Sequence, residues 1–158
     1  MNQFHLQALR SPGRARWLET ELLPWLDGAG VLGDDVLEVG PGPGLTTDLL
    51  RERSAKVTAI ENDPVLAAEL AGRLIGTNVA VINGDATGSG LPGDGFSSVC
   101  CFSSLHHMPS TELQDRLFEE ALRLLAPGGS LFGEDPADSD FARLGHIGDT
   151  FVPLARRH

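Results

Sequence analysis

The sequence is poor in features that define several other classes of protein. It contains no tyrosine and only two cysteines among its 158 residues. No apolar stretch approaches the roughly 18–20 residues that a membrane-spanning helix needs. The polar stretch from Met1 to Arg16 contains no run that resembles a signal-peptide core. These absences predict a chain that has no membrane partner and that is located in the cytoplasm.

Basic residues are scarce as well. The chain has 12 Lys and Arg against 22 Asp and Glu, which gives a formal net charge of −10 at pH 7. Binding to a phosphate backbone needs clustered Lys and Arg. The charge therefore predicts that nucleic acid is not a partner. The length and a hydrophobic content of 41% suit one domain with a substantial core.

The two cysteines, Cys100 and Cys101, are adjacent within an apolar run. Neighbouring side chains on a strand point to opposite faces, so a disulfide between them is strained. We therefore expect both cysteines to be buried, reduced packing residues rather than redox or metal-binding groups.

Apolar runs typical of strands alternate with helical patterns along the chain. This alternation predicts an α/β fold: a Rossmann-like, doubly wound, mostly parallel sheet with helices on both faces. The predicted strands are Val36–Val39, Lys56–Ile60, Val79–Ile82, Ser98–Phe102 and Ser130–Gly133. Three helices are predicted between these strands. The first is Leu45–Arg53, and the second starts at Asp63-Pro64 and has an apolar stripe of Leu66, Leu70 and Leu74. The third is Thr111–Leu125, in which Thr111 and Gln114 are spaced as a capping box.

Three regions follow from this pattern. Residues 1–30 are predicted to be a helical cap, 31–136 the sheet domain, and 137–158 a short helix and tail. Ser11 and Pro12 are placed to start an amphipathic helix over 11–26, which Pro24 would kink or divide. The sequence leaves open whether this helix packs on a sheet edge or forms a lid over a pocket.

The most informative segment is Val36 to Gly44, which reads Val-Leu-Glu-Val-Gly-Pro-Gly-Pro-Gly. A glycine-rich turn between a strand and a helix lets the backbone approach a nucleotide-type ligand closely. A dinucleotide fingerprint needs a sixth-position glycine, where this chain has Leu45. Glu38, two residues before Gly40, would repel a pyrophosphate but suits a ligand with a cationic amino group or sulfonium.

Two further carboxylates follow the next predicted strands. Glu61 ends the second strand, where an acidic side chain accepts hydrogen bonds from ribose hydroxyls. Asp85 follows the third strand in Asn83-Gly84-Asp85-Ala86, where it is placed to accept a hydrogen bond from an adenine amine. Ordinary turn chemistry is the alternative interpretation of Asp85.

His106 and His107 follow the fourth predicted strand and are candidate general bases, with His107 preferred because it lies further out of the strand. Pocket lining is the alternative interpretation of both. No Cys, His, Asp or Glu set has a recognisable metal-ligand spacing, so no metal is predicted. The acidic cluster of Glu134, Asp135, Asp138 and Asp140 is interpreted as a solvated loop.

Together these residues resemble the class I S-adenosylmethionine-dependent methyltransferases, in particular the small methyltransferase domain 11 type. The resemblance runs from Val36 to Gly133 and includes Leu105-His106-His107 and the Leu124 to Gly129 segment. It implies S-adenosylmethionine as cofactor, S-adenosylhomocysteine as product, and methyl transfer to a small-molecule acceptor by in-line displacement. The implied cofactor-binding residues are Glu38, Gly40, Pro41, Gly42 and Gly44 for the methionine moiety, Glu61 for the ribose with Asn62 beside it, Asp85 and Ala86 for the adenine, and the Phe102 backbone near the sulfonium.

The chain departs from this family at its C-terminal end. The family fold has seven strands, whereas little sequence follows Gly133, so the last two strands are expected to be absent. A helix over Ser139 to Ile147 and a short tail are expected instead. Because an unpaired strand edge is a liability, residues 137–158 or a second copy of the chain, as a homodimer, are predicted to cover the fifth strand.

Three other functions remain open. One is a non-catalytic, truncated module that binds S-adenosylmethionine or S-adenosylhomocysteine. Ala59-Ile60-Glu61-x-Asp63-Pro64 also resembles the ribosomal RNA adenine dimethylases, but those enzymes carry an Asn-Leu-Pro-Tyr type segment where this chain has Phe102-Ser103-Ser104-Leu105. A nicotinamide-dependent oxidoreductase is disfavoured by Leu45.

Overall fold

The computed structural model describes residues 11–136 and 149–156, with the backbone alone described for residue 136 and for 149–156. Six strands are found in these residues: β1 Asp35–Val39, β2 Lys56–Glu61, β3 Val79–Asn83, β4 Phe96–Phe102, β5 Leu125–Pro136 and β6 Asp149–Arg156. The α-helices are α1 Pro12–Trp17, α2 Leu23–Ala29, α3 Leu45–Arg51, α4 Pro64–Arg73 and α5 Thr111–Leu124. A π-helical turn, Leu18–Leu22, joins α1 to α2, and 3-10 turns occupy Ala86–Gly88 and Leu105–His107.

The strands form one sheet in the order β3-β2-β1-β4-β5-β6. Strands β1 to β5 are parallel, and β6 is antiparallel to β5. The strand order reverses direction between β1 and β4, which is the topological switch point where open α/β sheets bind ligands. The predicted Rossmann-like, doubly wound architecture is confirmed.

The two faces of the sheet carry separate apolar cores. Cys101 belongs to one core, with Leu117 and Leu124 of α5, whereas Cys100 belongs to the other. Both cysteines are free and buried, and burial raises the pKa of the Cys101 thiol to about 12. The expectation of reduced packing residues on opposite faces is confirmed.

The N-terminal helical segment packs on a face of the sheet rather than on its edge. Its buried Leu18, Leu22 and Leu26 share an apolar core with Phe102 of β4 and Phe132 of β5. Pro24 lies in the first turn of α2, directly after the π-helical turn, where its missing N–H is accommodated without a break in the helix. Gly30 ends α2 in the left-handed conformation, with φ of 59°.

Side-chain caps fix where three helices begin. Ser11 accepts a hydrogen bond from the Arg14 backbone at 3.2 Å, as the sequence predicts. Asp63 caps α4 through the backbone N–H groups of Val65 and Leu66. The prediction for α5 is one residue out, because Ser110 rather than Thr111 is the cap and accepts from Leu113.

The fifth strand is longer than predicted and its outer edge is paired. β5 begins at Leu125, directly after α5, and ends at Pro136. β6 pairs with it from Ser130↔Arg156 to Pro136↔Asp149, so the C-terminal segment covers the edge that the sequence analysis expected it to cover. Residues 149–156 are thus a strand, where a tail was expected. The predicted helix over Ser139 to Ile147 lies outside the described residues.

Candidate functional site

A cavity of about 610 Å³ opens at the carboxyl ends of the parallel strands. Its size lies within the range of small-molecule and cofactor pockets. The predicted cofactor residues that line it are Gly40, Pro41, Gly42, Glu61, Asn62, Asp85, Ala86 and Phe102, and His107 lines it as well. Glu38, Gly44 and His106 are not among the lining residues. The fold therefore brings most of the predicted residues together around one space.

The glycine turn forms the floor of this cavity. Gly40, Gly42 and Gly44 all have positive φ, of 66°, 54° and 83°. A Cβ on Gly40 would lie 2.9 Å from the Cβ of Ser104, so the turn also needs the absence of a side chain here. Because only glycine adopts this backbone without strain, the turn presents bare backbone to the cavity. This surface suits the close approach of a nucleoside-linked ligand.

Gly44 has a structural role behind the turn rather than in the cavity. A Cβ at this position would lie 2.3 Å from Leu70 Cδ1 and 2.5 Å from Arg73 Nη2. Arg73 also donates hydrogen bonds to the carbonyls of Pro43 and Gly44, at 3.3 and 3.2 Å. Gly44 therefore packs against α4, and its contact with the ligand stays a prediction.

Glu38 lies beneath the turn and does not reach the cavity. Its carboxylate accepts hydrogen bonds from the hydroxyls of Thr46 and Thr47, the latter at 2.6 Å. Burial raises the pKa of Glu38 to about 7, although the two threonine hydroxyls act in the opposite direction. Glu38 thereby fixes the first turn of α3, which includes the cavity-lining Thr46, and its contact with the methionine moiety stays a prediction.

Glu61 is the most constrained carboxylate that lines the cavity. Its Oε2 accepts from the Gly42 backbone N–H and its Oε1 from the Asp63 backbone N–H, both at 3.0 Å. These bonds tie the end of β2 to the glycine turn of β1. Each carboxylate oxygen has two lone pairs, so both can accept a second hydrogen bond. The geometry therefore suits a ligand with two adjacent hydroxyls.

Asp85 stands at the end of β3 and caps a 3-10 turn. Its Oδ1 accepts hydrogen bonds from the Thr87 backbone and hydroxyl, both at 2.8 Å. Asp85 therefore both caps the turn and lines the cavity, so the turn interpretation and the ligand-binding interpretation are compatible. Ala86, the next residue, contributes to the same wall.

The two histidines have different surroundings. His107 lines the cavity, whereas the Nδ1 of His106 lies 2.8 Å from Asp135 Oδ1. Asp135 also accepts from the Leu105 backbone N–H at 2.7 Å, so it holds the 3-10 turn that carries both histidines. The two imidazole rings are 4.0 Å apart between centroids. Geometry favours His107 over His106 as a group that can meet an acceptor.

The acidic cluster is not a solvated loop where the structure describes it. Glu134 is buried within β5 and pairs with Arg14 of α1, with 3.1 Å between Oε2 and Nη2. Asp135 is partly buried against His106. Asp138 and Asp140 lie outside the described residues. Sequence reasoning missed Arg14 because no local pattern links it to a strand 120 residues away.

The described residues contain neither a cluster of metal ligands nor a membrane-spanning helix. No group of three or more His, Cys, Asp or Glu in residues 11–136 and 149–156 is arranged to hold a metal ion. None of the helices in that part of the chain is long and apolar enough to cross a membrane.

The fold and the site define a nucleotide-type crevice at the switch point of a doubly wound sheet. Comparison with protein families then gives the particular assignment. Residues 36–129 match the family described as methyltransferase domain. The chain therefore belongs to this family of class I S-adenosylmethionine-dependent methyltransferases, and S-adenosylmethionine is its cofactor. The family and the cofactor predicted from the sequence are both confirmed.

Individual relatives agree with the family. A probable ribosomal RNA small subunit methyltransferase A of Haloarcula marismortui is 36% identical over 129 residues, which cover 74% of this chain and 44% of the relative. A ubiquinone biosynthesis O-methyltransferase of Pseudomonas fluorescens is 29% identical over 77% of this chain and 50% of the relative. A solved structure of a SAM-dependent methyltransferase from Aquifex aeolicus shares the fold, with a TM-score of 0.72, 20% identity, and coverage of 89% and 77%.

Two facts follow from these relatives. The chain spans about half the length of the curated relatives it matches.

The Haloarcula relative also overturns the expectation that nucleic acid is not a partner. That expectation is wrong because a protein with substantial identity carries a ribosomal RNA methyltransferase name. Net charge describes the surface of the whole chain and says little about one site.

Proposed function

We propose that this chain is a catalytic domain that transfers a methyl group from S-adenosylmethionine to an acceptor bound beyond the end of β4. The observation that carries the proposal is the arrangement of Glu61. This buried carboxylate lines the cavity and is held by the backbone N–H groups of Gly42 and Asp63. The glycine turn, Glu61 and Asp85 thus surround one space at three successive strand ends.

The residues of the cavity supply binding and orientation. Glu61 would accept hydrogen bonds from the ribose hydroxyls, with Asn62 beside it, and Asp85 would accept one from the adenine amine next to Ala86. The bare backbone of Gly40 and Gly42 allows the methionine moiety to lie close to β1. Glu38 acts indirectly, because it holds Thr46 and the start of α3 in place.

The bound cofactor supplies a methyl group already activated on a sulfonium sulfur. The protein therefore needs mainly to align the acceptor atom with the methyl–sulfur bond and to exclude water. Leu18, Met108 and Leu113 give the acceptor end of the cavity an apolar wall. His107 is the group placed to take a proton from a hydroxyl or amine acceptor as it is methylated.

Two acceptor classes have support from different observations. The identity to a relative with a ribosomal RNA methyltransferase name supports RNA. The Phe102-Ser103-Ser104-Leu105 segment and the N-terminal helix over the cavity support a small molecule. A relative with a small-molecule O-methyltransferase name agrees with the second class. The cytoplasmic location stays a prediction.

Transfer from S-adenosylmethionine labelled on its methyl group tests the proposal. The purified chain is incubated with ribosomal RNA of the small subunit in one arm and with a deproteinised small-metabolite extract in the other. We expect label in one arm, lost when Glu61 is replaced by alanine. A chain that binds the cofactor yet labels neither arm supports the alternative of a non-catalytic binding module.

The proton-accepting role of His107 has its own test. If His107 is the base, His107→Ala lowers the rate and flattens its pH dependence between pH 6 and 8. His106→Ala is the matched control, because that ring is engaged with Asp135. An unchanged rate in His107→Ala across this range removes the residue from the mechanism.

A further inference from the structure

The cavity has a second half that the cofactor-binding residues do not form. Apart from Phe102, those residues lie at the ends of β1, β2 and β3, whereas the cavity continues past the end of β4. The residues of this second half include Arg14, Ser103, Ser104, His107, Met108 and Leu113. On the proposed function, this is the space that the acceptor occupies.

The charges that line the cavity are divided between its two halves. Glu61, Asp63 and Asp85 stand at the cofactor half. Arg14 is the single Lys or Arg among the described residues that line the cavity, and it stands at the other half. A cavity with acids at one end and a guanidinium at the other favours an anionic group at the guanidinium.

Arg14 is held in place from three sides. Its Nη2 donates hydrogen bonds to Ser103 Oγ and to Glu134 Oε2, both at 3.1 Å. Its guanidinium carbon lies 4.5 Å from the centroid of the Trp17 ring. The Arg14 side chain is only 16% exposed, and that of Glu134 is fully buried. Nη2 makes both of these hydrogen bonds.

This arrangement is costly for a purely structural contact. A buried ion pair often gives no more stability than well-packed apolar residues in its place. Ser103, which bridges the pair, also has a left-handed backbone with φ of 51°, unusual for a residue other than glycine. Its backbone N–H donates to the Glu134 carbonyl at 2.6 Å, and its hydroxyl donates to Glu134 Oε2 at 3.1 Å. Such backbone strain concentrates at ligand-binding sites.

We propose that Arg14, oriented by Glu134 and Ser103, binds an oxyanion of the methyl acceptor, either a carboxylate or a phosphate. The guanidinium fork matches both groups in shape and charge. Arg14 thereby selects acceptors that carry a negative group near the methylated atom. A phosphate of RNA and a carboxylate or phosphate of a small molecule have the same recognition chemistry here. The inference rests on the proposed function for the identity of the second half of the cavity.

Matched probes test the charge preference directly. Benzoate and benzamide have similar shapes but differ in charge, and both are titrated into the protein by calorimetry with and without S-adenosylhomocysteine. We expect benzoate to bind at least about tenfold more tightly than benzamide. Arg14→Gln should remove the preference, whereas Arg16→Gln should retain it, because exposed Arg16 is on the same helix with the same charge.

A second variant protects the test against unfolding. Arg14→Gln removes the cation beside the buried Glu134, so the double variant Arg14→Gln/Glu134→Gln removes both charges and leaves the side-chain volume at position 134 nearly unchanged. This variant should also bind benzoate and benzamide equally. Retained preference in the folded double variant overturns the inference.

A third arm separates the two sources of the oxyanion. A single-stranded RNA decamer replaces benzoate, and its affinity is compared between the wild type and the double variant. Loss of RNA binding alone assigns the phosphate of RNA, and loss of the benzoate preference alone assigns a small acceptor. If the double variant binds both probes as the wild type does, the inference is overturned. It is also overturned if the double variant loses affinity for S-adenosylhomocysteine alone, because Arg14 would then bind the carboxylate of the cofactor.

The controls keep this inference distinct from the proposed function. A wild-type protein that fails to bind S-adenosylhomocysteine but keeps the arginine-dependent preference contradicts the proposed function alone. A protein that binds S-adenosylhomocysteine and shows no preference contradicts the role of Arg14 alone.

Discussion

At the residue scale, three carboxylates near the glycine turn have distinct roles because their surroundings differ. Glu38 is fully buried under the turn, Glu61 joins two strand ends beside the cavity, and Asp85 caps a turn at its rim. The sequence places all three after or within parallel strands but does not show how deep each one lies. Depth depends on the helices that cover the sheet. The position of Glu38 beneath the turn, rather than in the cavity lining, was not predicted for this reason.

The buried Glu38 gives a pH-dependent term in stability. Folding raises its pKa from the ordinary value of 4.5 to about 7, so in this window the folded chain holds a proton that the unfolded chain releases. The stabilisation is fully present below about pH 4.5 and is lost as the pH rises through about 7. At roughly 1.4 kcal/mol per pKa unit, the change is on the order of 3 kcal/mol.

Replacement of Glu38 by glutamine should remove this dependence. Glutamine stays neutral and still offers an oxygen to Thr46 or Thr47. Urea unfolding at pH 5 and pH 7.5 should show a falling free energy of unfolding in the wild type and a smaller fall in Glu38→Gln. An equal fall in the free energy of unfolding between pH 5 and pH 7.5 in the two proteins would show that Glu38 does not titrate in this window.

At the element scale, most boundaries follow from local sequence. Asp63-Pro64 starts α4, and the alternation of apolar runs places β1 to β4 within one or two residues. Local sequence does not indicate the π-helical turn over Leu18–Leu22 or the early start of β5 at Leu125. Both depend on packing across the sheet, which periodicity in one segment does not report. The same limit explains why the Arg14–Glu134 pair was not predicted.

The glycine turn is held from outside by α4. Arg73 donates to the carbonyls of Pro43 and Gly44 and pairs with Asp48, at 2.6 Å from Nη1 to Oδ2. These contacts fix the turn in one conformation before a ligand binds. Preorganisation of this kind lowers the entropy lost on binding.

The arginines on either side of Asp48 offer a matched test of this role. Arg73→Ala should weaken the binding of S-adenosylhomocysteine about three- to tenfold, whereas Arg51→Ala should leave it unchanged. Arg51 pairs with the other oxygen of Asp48, at 3.1 Å, through its side chain. Calorimetric titration of both variants measures the difference, and equal affinities would show that Arg73 does not preorganise the turn.

At the scale of the whole molecule, the outer edge of β5 depends on β6 for its backbone hydrogen bonds. β5 carries the buried Leu131 and Phe132, and its outer edge is paired with β6. The need for a cover follows from sequence alone, because an unpaired edge invites association with other chains. The identity of the cover does not follow, because residues 149–156 show no clear strand signal.

Removal of β6 should therefore change the association state. A chain that ends at residue 136 should form larger species by light scattering, because the N–H and C=O groups of the β5 edge lose their partners. A chain that ends at residue 156 is the control, since it keeps β6 intact. A monomeric and fully stable 1–136 chain would show that β6 does not protect this edge.

The central claim is that the cavity at the ends of β1 to β4 binds S-adenosylmethionine and its product, and calorimetric titration tests it most directly. We expect saturable one-to-one binding of S-adenosylhomocysteine. Glu61→Ala should weaken this binding by about 1–3 kcal/mol, or roughly 5- to 150-fold, through lost hydrogen bonds. Glu52→Ala, which removes an exposed carboxylate at the end of α3, should have no effect. Failure to bind either compound at millimolar concentration, or equal affinity in Glu61→Ala, would contradict the account.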